Sequence, residues 1–149
     1  MNGDCLNKIE VQSKLENAFN NFKKNDIILV EIGSSEWSMT HKLAEHLQKE
    51  FPNWNVDCEY NREFKNIKQK DSDRVRPDII IHHRTICDNL VAIEAKKDSC
   101  LDKKHDYDKL NFYTLDLDYK YGVFVCFNKK NGIDFEIKEQ NESFNEKYR

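Results

Sequence analysis

No stretch of the sequence approaches the roughly 20 consecutive apolar residues that a membrane-spanning helix requires, so no membrane partner is expected. The first residues, Met1 to Lys8, lack the charged-then-apolar pattern of a secretion signal, and a cytoplasmic location is the expectation. Closely spaced cysteine pairs are also missing. The five cysteines, Cys5, Cys58, Cys87, Cys100 and Cys126, are odd in number and scattered, which argues against a zinc site. Cys58 and Cys126 lie within apolar strand patterns and read as core thiols. There is no basic excess over the whole chain: the formal net charge is −3, which argues against a constitutive nucleic-acid binder but not against an enzyme whose carboxylates hold a cation. Internal repeats and low-complexity segments are absent. His41 and His46 do not form a zinc-protease motif.

What remains is 149 residues, 38% hydrophobic and 34% charged, enough for one domain with a modest core across residues 1–149. The chain is organised around residues 75–97. Two apolar runs, Ile79 to Ile81 and Leu90 to Ile93, are rich in β-branched residues and separated by a polar turn that ends in Asp88-Asn89, which predicts a β-hairpin. Asp78 opens the first run, directly after Pro77. Glu94 and Lys96 close the second, with Ala95 between them. Residues two apart in a strand share a face, so Glu94 and Lys96 project together and Ile93 and Ala95 project oppositely. Antiparallel pairing would bring Asp78 to Glu94. Two carboxylates and an ammonium would then meet at one end of the hairpin, a set of hard oxygen donors suited to Mg²⁺. A lysine beside such an ion can orient water or stabilise charge on a phosphate.

Around the hairpin, residues 4–23 read as an amphipathic helix carrying Ile9, Leu15, Ala18, Phe19 and Phe22. Ile27 to Val30 reads as a short strand or extended link. Gly33-Ser34-Ser35 breaks the chain and caps a second helix from about Glu36 to Glu50. Its buried arc is expected to hold Trp37, Thr40, Leu43, Ala44, Leu47 and Phe51. Glu36 lies at the edge of that arc, while Glu45 faces water. Val56, Cys58 and Tyr60 alternate with Asp57, Glu59 and Asn61 as a half-buried strand, whose Glu59 could border the site. Between Arg62 and Arg76, six basic residues (Arg62, Lys65, Lys68, Lys70, Arg74, Arg76) outnumber three acidic ones (Glu63, Asp71, Asp73), an excess able to meet phosphates or simply to face solvent. His82 shares strand parity with Asp78 and could line a cleft; His83 points the other way. A third helix is expected from about Leu101 to Leu117. Tyr121 to Phe127 reads as a buried strand. Asn131-Gly132 marks a turn into an exterior strand that carries Ile133, Phe135 and Ile137. The order helix, helix, three strands, helix, two strands implies a mixed sheet flanked by helices, an α/β fold.

This order, with Pro77-Asp78 and Glu94-Ala95-Lys96 in these places, resembles the PD-(D/E)XK nuclease superfamily, which includes restriction endonucleases and Holliday-junction resolvases. The strings Cys58 to Arg62, Arg76 to Ile80 and Ile93 to Lys97 are similar to those of a small bacterial branch of it. The resemblance implies a restriction endonuclease-like αβββαβ core from about Glu36 to Phe127. It implies that Asp78 and Glu94 are Mg²⁺ ligands, that the Ala95 carbonyl assists, and that Lys96 is the catalytic lysine. Glu36 would be the additional acid that many members carry on the preceding helix. Mn²⁺ would substitute for Mg²⁺, nucleic acid and above all DNA would be the partner, and cleavage would leave a 5′-phosphate. A homodimer would widen the narrow cleft of so small a domain. Two other readings stay open: a catalytically silent binding or assembly module on the same fold, and a nuclease subunit that depends on a partner.

Overall fold

The structure is a computed structural model, and it describes residues 5–58, 76–97 and 103–142. Among them are three helices, α1 (Lys8–Glu31), α2 (Glu36–Glu50) and α3 (Lys104–Leu115). Five strands, β1 (Asn55–Cys58), β2 (Ile79–His83), β3 (Asp88–Lys97), β4 (Tyr121–Asn128) and β5 (Gly132–Glu139), make one sheet in the order β1-β2-β3-β4-β5. All neighbours are antiparallel except β3 and β4, which are parallel. A parallel neighbour cannot be reached by a tight turn, and α3 supplies the crossover. The fold is α/β with a mixed sheet.

Local chemistry sets the helix limits. Asn7 and Glu10 form a reciprocal capping box at the start of α1. At its end the Gly33 and Ser34 amides donate back to Val30 and Leu29, and Gly33 has φ +73°, a left-handed position that glycine takes without steric cost. This closure comes after Ile27 to Val30, so that segment is the last turn of α1 and not a strand. The helix begins at Lys8 rather than residue 4 and runs eight residues past Lys23. Ser35 then caps α2 through the Ser38 amide.

The sheet separates two apolar layers. Val11, Leu15, Ala18, Phe19 and Phe22 of α1, with Met39, Leu43 and Leu47 of α2, pack on the face formed by Ile79, Ile81, Val91, Ile93, Val123 and Val125. On the other face α3 places Tyr107, Leu110 and Tyr113 over Ile80, Ala92 and Phe124. A single helix about 10 Å across cannot cover five strands spaced about 4.8 Å apart, so large tyrosines fill this thinner layer. Two apolar expectations fail, and one buried cysteine differs in its covalent state. Ile9 is exposed, and Trp37 is 53% exposed because Met39 and His46 take the buried positions of α2 beside Thr40, Leu43, Ala44 and Leu47. Cys126 lies in the core as expected but is disulfide-bonded, whereas Cys5, Cys58 and Cys87 are free. None of the three helices among the described residues is long and apolar enough to cross a membrane.

Phe22 joins the layers of the thicker side, packing at 5.4 Å against Phe127 of β4 and edge-on to His46 of α2, with no exposure to solvent. Phe22→Ala should lower stability by about 3–5 kcal/mol in urea unfolding, the usual cost of emptying a buried aromatic site.

Candidate functional site

Asp78 precedes β2 by one residue and brackets Glu94. Its amide donates to the Ile93 carbonyl at 3.0 Å, and its Oδ2 accepts the Ala95 amide at 2.7 Å. The hairpin register puts Ile79 opposite Ile93 and Ile80 opposite Ala92. Glu94 and Lys96 therefore lie on the α3 face, while Ile93 and Ala95 face the helical pair. Strand alternation turns the backbone polar groups of Ile93, Ala95 and Lys97 toward the β2 side of β3. β2 begins only at Ile79, so beyond Asp78 this edge of β3 runs past the end of its neighbour. Carboxylates cap it: Asp78 takes the Ala95 amide, and Glu36 Oε2 takes the Lys97 amide at 3.0 Å. The Lys97 ammonium donates to the Ser34 carbonyl at 3.1 Å, which holds the start of α2 against the same strand end.

Glu94 is 3% exposed. Its Oε2 accepts the Tyr113 hydroxyl at 2.7 Å, and its Oε1 faces the Lys109 ammonium at 3.1 Å. Burial, and then the nearby Asp78 charge, push its carboxyl up to about 8, although Lys109 and Tyr113 act in the opposite sense. Burial by itself would lower the Lys109 ammonium, but the charge of Glu94, the hydrogen bond to it and the charge of Asp106 outweigh that and hold it above its usual range. Asp106 sits between two lysines, 3.7 Å from Lys109 through Oδ1 and 3.1 Å from Lys96 through Oδ2. The ammonium that meets Glu94 thus comes from α3.

The sequence-predicted residues separate into groups. Asp78, Glu94 and Lys96 share the α3 face at one end of the hairpin, and the Ala95 carbonyl lies on the β2-facing edge beside Asp78. Glu36 reaches that edge from the opposite layer, two residues further along β3. Among the described residues no three His, Cys, Asp or Glu side chains gather as a metal-holding group, so Glu36 is not drawn into a common set with Asp78 and Glu94. His82 is buried, but its Nε2 lies 2.7 Å from Asp57 Oδ2, and Arg84 clamps the same carboxylate at 3.0 and 2.6 Å. This cluster is four residues along β2 from Asp78, and the Arg84 hydrogen bond holds Asp57 below the usual carboxylate range. His82 therefore belongs to the turn end of the hairpin and does not border the carboxylate pair. His83 stacks on Trp54 with ring centroids 3.9 Å apart. Glu59 and most of the basic run from Arg62 to Arg76 lie outside the described residues.

Sequence reasoning missed Asp106, Lys109 and Tyr113. They recur at positions i, i+3 and i+7 of α3 and so share one helix face. A reading that scores only apolar periodicity assigns such residues to solvent. The available signal was a charged stripe running beside Leu110 and Tyr113.

The carboxylates of Asp78 and Glu94 and a backbone carbonyl on the adjoining strand edge are hard oxygen donors, the kind that Mg²⁺ takes together with water. No protein-family model, curated protein or solved structure matches the chain.

The raised Glu94 carboxyl has a direct consequence for stability. The folded chain holds that proton up to about 8, whereas an unfolded glutamate releases it near 4.5. The stability it contributes is complete below 4.5 and is lost as pH rises through about 8. In the absence of divalent cations, the urea midpoint should fall between about pH 5 and pH 9. Glu94→Gln, which stays neutral, should flatten that fall by on the order of a few kcal/mol.

Proposed function

We propose that the chain is a Mg²⁺-dependent nuclease that hydrolyses phosphodiester bonds in DNA on a restriction endonuclease-like core. The observation that carries this reading is the placement of Asp78 around Glu94, with Lys96 on the same face at the open end of β3. A buried carboxylate beside a second one costs free energy unless a cation offsets it, and the raised Glu94 carboxyl is the mark of that cost. Asp78, Glu94 and the Ala95 carbonyl would hold the ion, and Glu36 stands in reserve at the next amide of the edge. Bound there, Mg²⁺ supplies charge neutralisation for phosphate and activation of water.

The chain's own residues perform the remaining tasks. The Ala95 amide fixes the orientation of the Asp78 carboxylate. Tyr113 fixes that of Glu94. Lys96 brings a positive charge to the same face, where it can bind a phosphate oxygen and stabilise the charge that grows on it during displacement. Asp106 holds the Lys96 side chain in place until a phosphate competes for it. The layered α/β order, with a helix pair on one face and the crossover helix on the other, agrees with the proposed core.

A catalytically silent module on the same fold is the second reading. It is favoured by the closed pattern of contacts: both Glu94 oxygens are paired within the chain, and Lys96 is paired with Asp106.

The two readings diverge in a cleavage screen over duplex, single-stranded and branched DNA and over RNA, with Mg²⁺ or Mn²⁺. A nuclease should cut at least one DNA substrate, and Asp78→Asn or Lys96→Ala should slow cutting by about 100-fold or more. Binding of the cation without cutting of any substrate would leave the silent module.

A further inference from the structure

We propose that Lys109 is a resident counter-cation of the carboxylate pair, and that a divalent cation reaches Glu94 only by displacing it, so that α3 gates occupancy of the site. This rests on the metal-site reading above and adds a regulation to it. Glu94 is 3% exposed, and one of its oxygens is already taken by the Tyr113 hydroxyl at 2.7 Å. The other is the position where Lys109 sits, at 3.1 Å. An incoming cation therefore finds no oxygen of Glu94 unclaimed, and an ammonium a few ångströms from a dication would repel it.

The displaced group has somewhere to go. Asp106, one helical turn earlier, already lies 3.7 Å from the Lys109 nitrogen. The Lys109 side chain is 29% exposed and belongs to a residue type with a flexible four-carbon stem. Rotation of that stem exchanges Glu94 for Asp106 without moving the helix. Glu94 needs no such freedom, because Tyr113 keeps its orientation before and after. The arrangement also gives a role to a lysine on a helix face beside Tyr113 and Leu110: its ammonium meets the buried Glu94 at 3.1 Å.

Amine labelling of the intact wild-type chain tests this directly. Reductive methylation, read residue by residue by mass spectrometry, would be run with and without Mg²⁺, whose binding is followed by calorimetry in the same buffer. An ammonium that leaves the Glu94 side chain, 3% exposed, for that of Asp106, 10% exposed, becomes more accessible to reagent, so Lys109 labelling should rise severalfold with saturating Mg²⁺. Lys104 on the same helix, with its side chain 71% exposed and paired with Asp108, should not change. Unchanged or slower labelling of Lys109 while calorimetry shows Mg²⁺ bound overturns the displacement and leaves the metal site standing. No Mg²⁺ binding at all overturns both. As a second measurement, Lys109→Met, which leaves Glu94 Oε1 without the ammonium at 3.1 Å, should bind Mg²⁺ about tenfold more tightly than wild type. Equal or weaker binding by a folded variant counts against the proposal.

Discussion

The second face of the sheet depends on keeping one buried carboxylate satisfied. Glu94 sits on the central strand, flanked on the sheet by β2 and β4 and covered by α3, with almost no contact with water. A charge in that position is unfavourable without partners. The structure answers with a hydroxyl from Tyr113, an ammonium from Lys109, and a helix set so that both reach the same side chain. Asp78 works against them, because its own bonds to β3 fix it on either side of Glu94. The result is a carboxyl held between opposing influences, with its proton retained well beyond the ordinary range.

This constraint accounts for the unusual make-up of α3. A crossover helix between parallel strands ordinarily presents a continuous apolar stripe. Here Asp106, Lys109 and Tyr113 run beside Tyr107, Leu110 and Thr114. The polar members lie toward the end of β3 where the carboxylates are, and the tyrosines supply both apolar bulk and a hydroxyl tip. Tyr107 repeats the arrangement at the far edge, where its hydroxyl donates to Glu136 of β5 at 2.7 Å. On the opposite face two helices supply mainly aliphatic and phenylalanine side chains, with the His46–Asp26 pair at 2.6 Å between the helices.

Much of the layout was legible in the residues. Period-two alternation and β-branched runs located the hairpin, and parity alone put Glu94 and Lys96 on one face and Ile93 and Ala95 on the other. Antiparallel pairing then brought Asp78 to Glu94. What failed has physical reasons. Ile27 to Val30 looks like a strand because β-branched residues favour one, but a long helix already nucleated upstream extends through them until Gly33 allows it to close. Trp37 falls within the buried arc by helical spacing, yet it lies on the outer side of the first turn of α2. His82 does line a cleft, but one at the turn end with His83 and Arg84, where a register shift between Ile81 and His82 and the pull of Asp57 and Arg84 hold it. Lys109 and Tyr113 could not be tied to Glu94 from sequence, because that contact depends on how the crossover helix lies over the sheet.

The quantity on which all of this turns is the protonation of one side chain. A ¹³C NMR titration of the Glu94 carboxyl, with Glu94→Gln to assign the resonance, measures it without reference to any substrate. In cation-free buffer the carboxyl should titrate near the value of about 8 that burial and Asp78 impose, and saturating Mg²⁺ should bring it below the ordinary 4.5. A titration near 4.5 without Mg²⁺, unmoved when the ion is added, would mean that Glu94 is neither strained by Asp78 nor reached by a cation.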